Sequence, residues 1–210
     1  MDQKHAAIVK HPVVARDLTI LRNKDTNTAD FRLAMGRIAT ILAYFALKDL
    51  PLKETDITTP VTSAKGYQID TEILIVPILR AGLSLVDALL NFIPDATVGH
   101  LGMYRDEITH KPVDYYSNIP SGLDDAMVLL VDPMLATGGS ADDAIAFLKK
   151  KGAKNIRFIC LICAPEGLQR ISTKYPDVSV ITASVDEKLN DDAFIVPGLG
   201  DAGDRYFGTT

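Results

Sequence analysis

Apolar residues fall along this 210-residue chain in two kinds of run. Residues 73–79, Met127–Val131, 156–163 and 178–183 are short and almost continuously hydrophobic, the pattern of strands buried on both faces of a parallel sheet. Elsewhere the spacing is helical. Phe31, Met35, Ile38, Leu42 and Phe45 repeat at fours and threes through 28–48, with Thr28 available as N-cap and Pro51 just past the end. A stripe this apolar packs on a core, with a homodimer interface as the alternative. A second helix is predicted over 83–93, a third after residue 140 with Ala144, Phe147 and Leu148 on one face, and a short one opening at Pro165-Glu166-Gly167. Residues 52–70, rich in threonine and with alternating Ile57 and Val61, fit short edge strands, and residues 98–103 begin another strand. Strand and helix alternate from 73 to 184, the last regular strand being 178–183. This predicts an α/β fold with a doubly wound, mainly parallel sheet. No repeat or low-complexity linker divides the chain, so a single domain over residues 1–210 is expected.

Composition narrows the function classes. Twenty-two basic residues against 27 acidic leave a net charge of −5, which argues against a nucleic-acid surface. No apolar run approaches the roughly 20 residues that span a bilayer, and the first twelve residues contain no apolar signal-peptide core. A soluble, cytoplasmic protein is expected, with no membrane partner. Cys160 and Cys163 have C-x-x-C spacing, but both fall inside a buried strand rather than at the start of a helix. Three positions apart on a strand, they should point to opposite faces as inert core thiols. His5, His11, His100 and His110 are scattered without metal-ligand spacing, so no protein-borne metal site is assigned.

The chemistry concentrates where the strand Met127–Val131 ends at Asp132-Pro133 and runs through Met134, Leu135, Ala136, Thr137, Gly138, Gly139 and Ser140 into a helix. A strand, a Gly-containing loop and a helix N-terminus together present backbone N–H groups at the positive end of a helix dipole, which suits a phosphate. Thr137 and Ser140 add hydroxyls, and Gly138-Gly139 lets the backbone approach a ligand closely. No Gly-Lys-Ser/Thr follows and the pattern is not G-x-G-x-x-G, so neither nucleotide fingerprint applies. With Asp132 five residues before Thr137, the loop fits a sugar phosphate, the acid facing ribose hydroxyls. A plain strand–turn–helix is the alternative. Asp142 and Asp143 look like an acid–base pair, but a helix first turn explains them more simply through a dipole effect of about 0.3–1 kcal/mol.

Two further stretches stand out. Arg80 ends the strand 73–79, in the crevice where open α/β sheets bind ligands, and a guanidinium there favours a diphosphate over the alternative of a surface ion pair. Residues 194–210 hold four glycines and a proline, which should exclude regular helix or strand. Such backbone either forms a flexible tail or offers its N–H and C=O groups to a ligand. Between them, HKPVDYYSNIP reads as a protruding arm or mobile loop, with Tyr115 and Tyr116 packing rather than reacting.

These stretches resemble one family. VLLVDPMLATGGSA is similar to the loop of the type I phosphoribosyltransferases that binds 5-phospho-α-D-ribose 1-diphosphate (PRPP), departing from most members in having Pro133 where a second acid usually stands. The Asp-Pro form, VPILRAGLSL, MYRDEITHKPVDYYSNIP and IVPGLGDAGDR together resemble the uracil phosphoribosyltransferases, in the right order and from about residue 8 to the end. The resemblance implies transfer of phosphoribosyl from PRPP to uracil, giving UMP and diphosphate, on a fold with a β-arm and a C-terminal base-binding hood. It implies that Arg80 and Arg105 serve the diphosphate, that Asp132 orients the ribose, and that Pro133, Met134, Leu135 and Ala136–Ser140 complete the PRPP site. Ile195, Gly200, Asp201 and Ala202 would line uracil, with Asp201 also facing PRPP. Mg²⁺ would be held mainly through PRPP, the assembly would be a homodimer or higher homo-oligomer, and GTP activation is left open. Phe194 stands where the family commonly has Tyr, and Tyr206 where an aliphatic residue is usual. A rival reading is a non-catalytic PRPP- or UMP-sensing regulator that binds RNA; the acidic balance and the lack of a Lys/Arg cluster count against it.

Overall fold

The computed structural model describes residues 6–105 and 112–209, and of 103–105 and 112–115 the backbone alone. The elements in order are β1 (Ala6–Ile8), α1 (Pro12–Arg22), α2 (Thr28–Leu47), β2 (Leu52–Thr58), β3 (Ser63–Ile69), β4 (Ile73–Pro77), α3 (Leu83–Phe92), β5 (Thr97–Val98), β6 (His100–Arg105) and β7 (Pro112–Asn118). There follow β8 (Met127–Val131), β9 (Met134–Leu135), α4 (Gly139–Lys150), β10 (Asn155–Cys163), α5 (Pro165–Lys174), β11 (Ser179–Val185), β12 (Lys188–Leu189), β13 (Ile195–Val196) and α6 (Ala202–Phe207).

The main sheet has the order β1-β11-β10-β8-β4-β5, with β9 also on β10, and every pairing in it is parallel. From β4 the chain moves to β5 on one side and then to β8 on the other. The carboxyl ends of β4 and β8 therefore flank a topological switch point, where the crevice of such a sheet opens. One face is covered by α1, α2 and α3, the other by α4 and α5. The stripe on α2 is core: Phe31, Met35, Ile38 and Leu42 are all fully buried, each contributing about 1.5–3 kcal/mol by leaving water. No helix among the described residues is long and apolar enough to cross a membrane.

Several local expectations need correction. The N-cap of α2 is Asn27, not Thr28: its side chain accepts from Asp30 N at 2.9 Å. Residues 52–70 do not edge the main sheet but form an antiparallel hairpin of their own, β2–β3. Strand 178–183 is not the last, since β12 and β13 pair antiparallel after it. Glycine content did not exclude a helix near the C-terminus. Asp201 caps α6 and Gly208 closes it in the left-handed region at φ 72°. Cys160 and Cys163 share one face rather than opposing. Leu161 N and Ile162 N both donate to Pro133 O, at 2.9 and 3.3 Å, so the alternation of β10 is interrupted there and residue 163 returns to the side of residue 160. Both thiols are free and buried.

Candidate active site

The chain between β8 and α4 is supported from below. Met134-Leu135 pairs with Ile162-Cys163, and Ala164 N donates to Leu135 O at 2.9 Å, so the loop leaves the sheet held along its first half. Gly138 then turns left-handed at φ 76° and starts α4. Its approach to α5 is close: a Cβ on Gly167 would lie 2.3 Å from Ala136 O, so only glycine lets the loop rest on that helix. Asp142 N makes the first helical bond, to Gly138 O at 2.9 Å, which leaves the N–H groups of Ser140 and Ala141 without an intrahelical partner. Thr137 and Ser140 are exposed beside them, and Gly139 N reaches Thr137 Oγ1 at 3.4 Å. Asp142 is not a simple dipole partner. Its buried carboxylate accepts from Arg170 at 2.7 Å, Lys174 at 2.6 Å and the Tyr175 hydroxyl at 2.7 Å, tying α4 to α5.

Across the crevice, Arg80 sits in the turn after β4, where Gly82 N donates to Ile78 O at 2.9 Å. Arg80 Nη2 donates to Asp204 Oδ1 at 3.0 Å, and its guanidinium lies 5.5 Å from the centre of the Phe207 ring. Asp204 belongs to α6, whose N-cap Asp201 accepts from Asp204 N at 2.9 Å. The third acid, Asp132, ends β8. Burial pushes its carboxyl up to about 7, the weak bond from Met134 N opposes that, and the charge of Asp201 adds to it. Arg80, Asp132 and Asp201 are therefore gathered at one switch point, along with the α4 N-terminus. Arg105 closes β6 opposite Pro112 on the two-stranded β6–β7 arm; its side chain, that of Tyr115 and residues 106–111 lie outside the described residues.

The C-terminal segment before α6 is pinned by Arg22, Asp186 and Arg205, none of which carries a signal of its own in the sequence. Asp186 accepts two hydrogen bonds from Arg22, one from Ser184 Oγ and one from Gly198 N, and Arg22 also donates to Gly198 O at 2.8 Å. Arg205 donates to Leu199 O at 2.7 Å, to Asn23 O at 2.7 Å and to Leu21 O, and lies 4.4 Å from the centre of the Phe31 ring. Ile195 and Ala202 are buried, and Gly200 and Asp201 are exposed at the crevice. Phe194 is half exposed. Tyr206, the other departure, packs against α2: its carbonyl accepts from Arg32 Nε at 2.7 Å, and the guanidinium lies 5.4 Å from the centre of its ring. Among the described residues no group of three or more His, Cys, Asp or Glu could hold a metal ion.

A mainly parallel sheet with helices on both faces and a Gly-containing loop opening a helix at its switch point is the fold of the type I phosphoribosyltransferases. Consistent with this, the structure superposes on APRTase from Giardia lamblia with a TM-score of 0.52 at 19% identity, covering 74% of this chain and 81% of that one. Enzymes of this class generally use a divalent metal. The chain belongs to the uracil phosphoribosyltransferase family, whose sequence model matches residues 8–209. It is 53% identical to the uracil phosphoribosyltransferase of Salinibacter ruber over 98% of both chains. The AQ2163 protein from Aquifex aeolicus has the same fold with a TM-score of 0.91 at 37% identity, over 98% of this chain and 99% of that one.

Proposed function

We propose that this chain transfers the phosphoribosyl group of PRPP to N1 of uracil, forming UMP and diphosphate, as a single catalytic domain in the cytoplasm. What supports the reading is the bond from Arg80, in the turn after β4, to Asp204 on α6, together with the charge of Asp201 acting on Asp132 after β8: these bring the strand ends and the C-terminal segment to one crevice.

In this reading the N–H groups at the start of α4 and the hydroxyls of Thr137 and Ser140 seat the 5′-phosphate. Asp132 accepts hydrogen bonds from the ribose hydroxyls. Arg80, with Arg105, takes the diphosphate and stabilises the charge it gains as the C1–O bond breaks. The anomeric carbon then carries oxocarbenium-like charge. The hood holds uracil through main-chain groups around Ile195 and Gly200–Ala202, so that N1 lies in line with the departing oxygen. The N1 proton is lost as the C–N bond forms, and in this reading the carboxylate of Asp201 favours that loss. The fit for Mg²⁺ is a substrate-borne one: the charge of Asp201 acts on the neighbouring Asp132 carboxyl, so a cation carried by PRPP would be favoured beside them. When bound, Mg²⁺ would offset diphosphate charge beside those two residues.

A homo-oligomer, at least a dimer, is part of the proposal. Support comes from the β2–β3 hairpin, which leaves Leu52, Ile57, Val61, Tyr67 and Ile69 exposed, more apolar surface than one small hairpin usually shows to water. No observation favours the RNA-binding reading.

The test is a panel of uracil, cytosine, adenine, guanine and hypoxanthine with PRPP and Mg²⁺, run with and without GTP. Uracil should be the base consumed, with stoichiometric UMP and diphosphate. Turnover of another base in preference to uracil overturns the assignment.

A further inference from the structure

We infer that Asp204 positions Arg80, so that the short helix carrying the base-binding hood also sets up the diphosphate pocket. The inference rests on the reading of Arg80 as a diphosphate ligand and adds to it a residue and a coupling between the two substrates.

Asp204 and Phe207 stand three apart on α6, neighbours on its surface, and the N-cap Asp201 lies three residues before Asp204. This surface meets the turn after β4. Arg80 Nη2 donates to Asp204 Oδ1 at 3.0 Å and the guanidinium covers Phe207. Beside it, a Cβ built on Gly203 would lie 3.6 Å from Ala81 Cβ, so the first turn of α6 rests directly on the Arg80-Ala81 turn. Asp204 is itself held. Its N–H is bonded to Asp201 Oδ1 at 2.9 Å, and its Oδ1 also accepts from Thr209 Oγ1 at 2.6 Å.

Stability does not account for this pair. The Arg80 side chain is 60% exposed and that of Asp204 34%, so the contact resembles the surface ion pairs whose contribution to folding is small. Its effect is on direction. A long arginine side chain at an open crevice samples many rotamers, and a diphosphate would have to collect it at an entropic cost. Asp204 and Phe207 hold the guanidinium plane in place. The carboxylate engages Nη2 and leaves the other donors of the fork for an anion. A diphosphate bound there would join Arg80, Asp204 and Asp201 into one chain of charge-assisted bonds. The base loop would then be tightened by the substrate that must be present for uracil to react.

Asp204→Asn keeps the size of the side chain and removes its charge; Asp204→Ala removes both. Each is measured alone and combined with Arg80→Ala, with melting curves to confirm folding. In the Arg80 background, Asp204→Asn should raise KM for PRPP by about three- to tenfold while kcat changes less than about threefold, and Asp204→Ala should do more. In the Arg80→Ala background the same substitution should change KM for PRPP by less than about 1.5-fold, because the side chain through which Asp204 acts is gone. Equal effects in both backgrounds, or an unchanged KM in the single variants, would show that Asp204 merely caps structure. An Arg80→Ala protein that uses PRPP normally would remove the diphosphate reading of Arg80, and this inference with it.

Discussion

Arg22 and Asp186 lie 164 residues apart in the chain and meet in a two-pronged ion pair, with Nη1 to Oδ2 at 2.7 Å and Nη2 to Oδ1 at 2.6 Å. The Asp186 side chain is 1% exposed. The same carboxylate takes Gly198 N at 3.0 Å, so the end of α1 and the end of β11 together fix the backbone that precedes Leu199 and Gly200. Breaking a buried pair from one side leaves the other charge unmet and costs about 3–5 kcal/mol. Asp186→Asn should therefore lower the melting temperature and loosen the hood. KM for uracil should rise more than KM for PRPP, since the α4 N-terminus is not touched. Equal changes in the two KM values would contradict this.

Acid sensitivity follows from the same pair. Burial tends to raise the Asp186 carboxyl, but Arg22, Ser184 and Gly198 N together hold it below the ordinary carboxylate value of 3.8. A depressed acid contributes stability that is present above its unfolded pKa and lost as pH falls through the folded one. Unfolding midpoints in urea should fall below about pH 4 in the wild type and fall less steeply in Asp186→Asn.

Asp132 titrates in the opposite sense. Its carboxyl is raised from 3.8 to about 7, chiefly by burial, with the charge of Asp201 adding to the shift. A raised acid contributes stability that is full below its unfolded pKa and lost as pH rises through the folded one. Asp132→Asn cannot pay that penalty of ionisation, so the ligand-free variant should gain on the wild type between about pH 4 and 8. The gain should reach on the order of 2 kcal/mol at pH 8, given 1.36 kcal/mol per unit and partial access to solvent. Activity should move the other way, with PRPP turnover sharply reduced. A stability difference independent of pH would contradict the account.

Gly167 lies outside the PRPP loop in sequence and directly beneath it in space. A Cβ there would meet Ala136 O at 2.3 Å and Leu135 O at 3.0 Å. Gly167→Ala must push either the loop or α5, a kind of overpacking that costs about 1–3 kcal/mol. KM for PRPP should rise several-fold. A crystal structure of the variant with an undisplaced loop and unchanged kinetics would refute this.

The two charged ligands can be separated from structure. Arg80→Ala should reduce turnover at least about tenfold, taking 1.5–3 kcal/mol for a hydrogen bond to a charged group. Asp201→Ala also removes the cap of α6, worth about 0.5–2 kcal/mol, and so mixes two effects. Asp201→Asn keeps an acceptor for Asp204 N, and should impair activity with an unchanged melting temperature and circular dichroism spectrum. A normal rate in Asp201→Asn would remove this residue from the chemistry.

The central elements were legible because each carries its own local signal. Met127–Val131 is a continuous apolar run stopped by Asp-Pro, and the structure gives β8 the same bounds. The stripe of α2 is fully apolar and lies in the core. What could not be read depends on partners distant in sequence. The break in alternation that turns Cys160 and Cys163 to one face goes with Pro133 O, between β8 and β9, accepting two N–H groups of β10. Nothing near Arg22 announces Asp186, and nothing near Gly167 announces Ala136. Other signals lie in the sequence itself. Asp201 and Gly208 bracket α6 with a cap and a left-handed stop, although the glycine count argued for irregular chain. His11-Pro12 opens α1, where Val14 and Leu21 are buried and Leu18 packs against them.

The most direct test of the account is a crystal structure with UMP bound. The nucleotide should lie across the carboxyl ends of β4 and β8, its phosphate against the N–H groups of Ser140 and Ala141 beside Thr137, its ribose hydroxyls on Asp132 and its base edge on the backbone of Ile195 and Gly200–Ala202. UMP bound away from the Thr137 turn, or with its base turned from the hood, would contradict it.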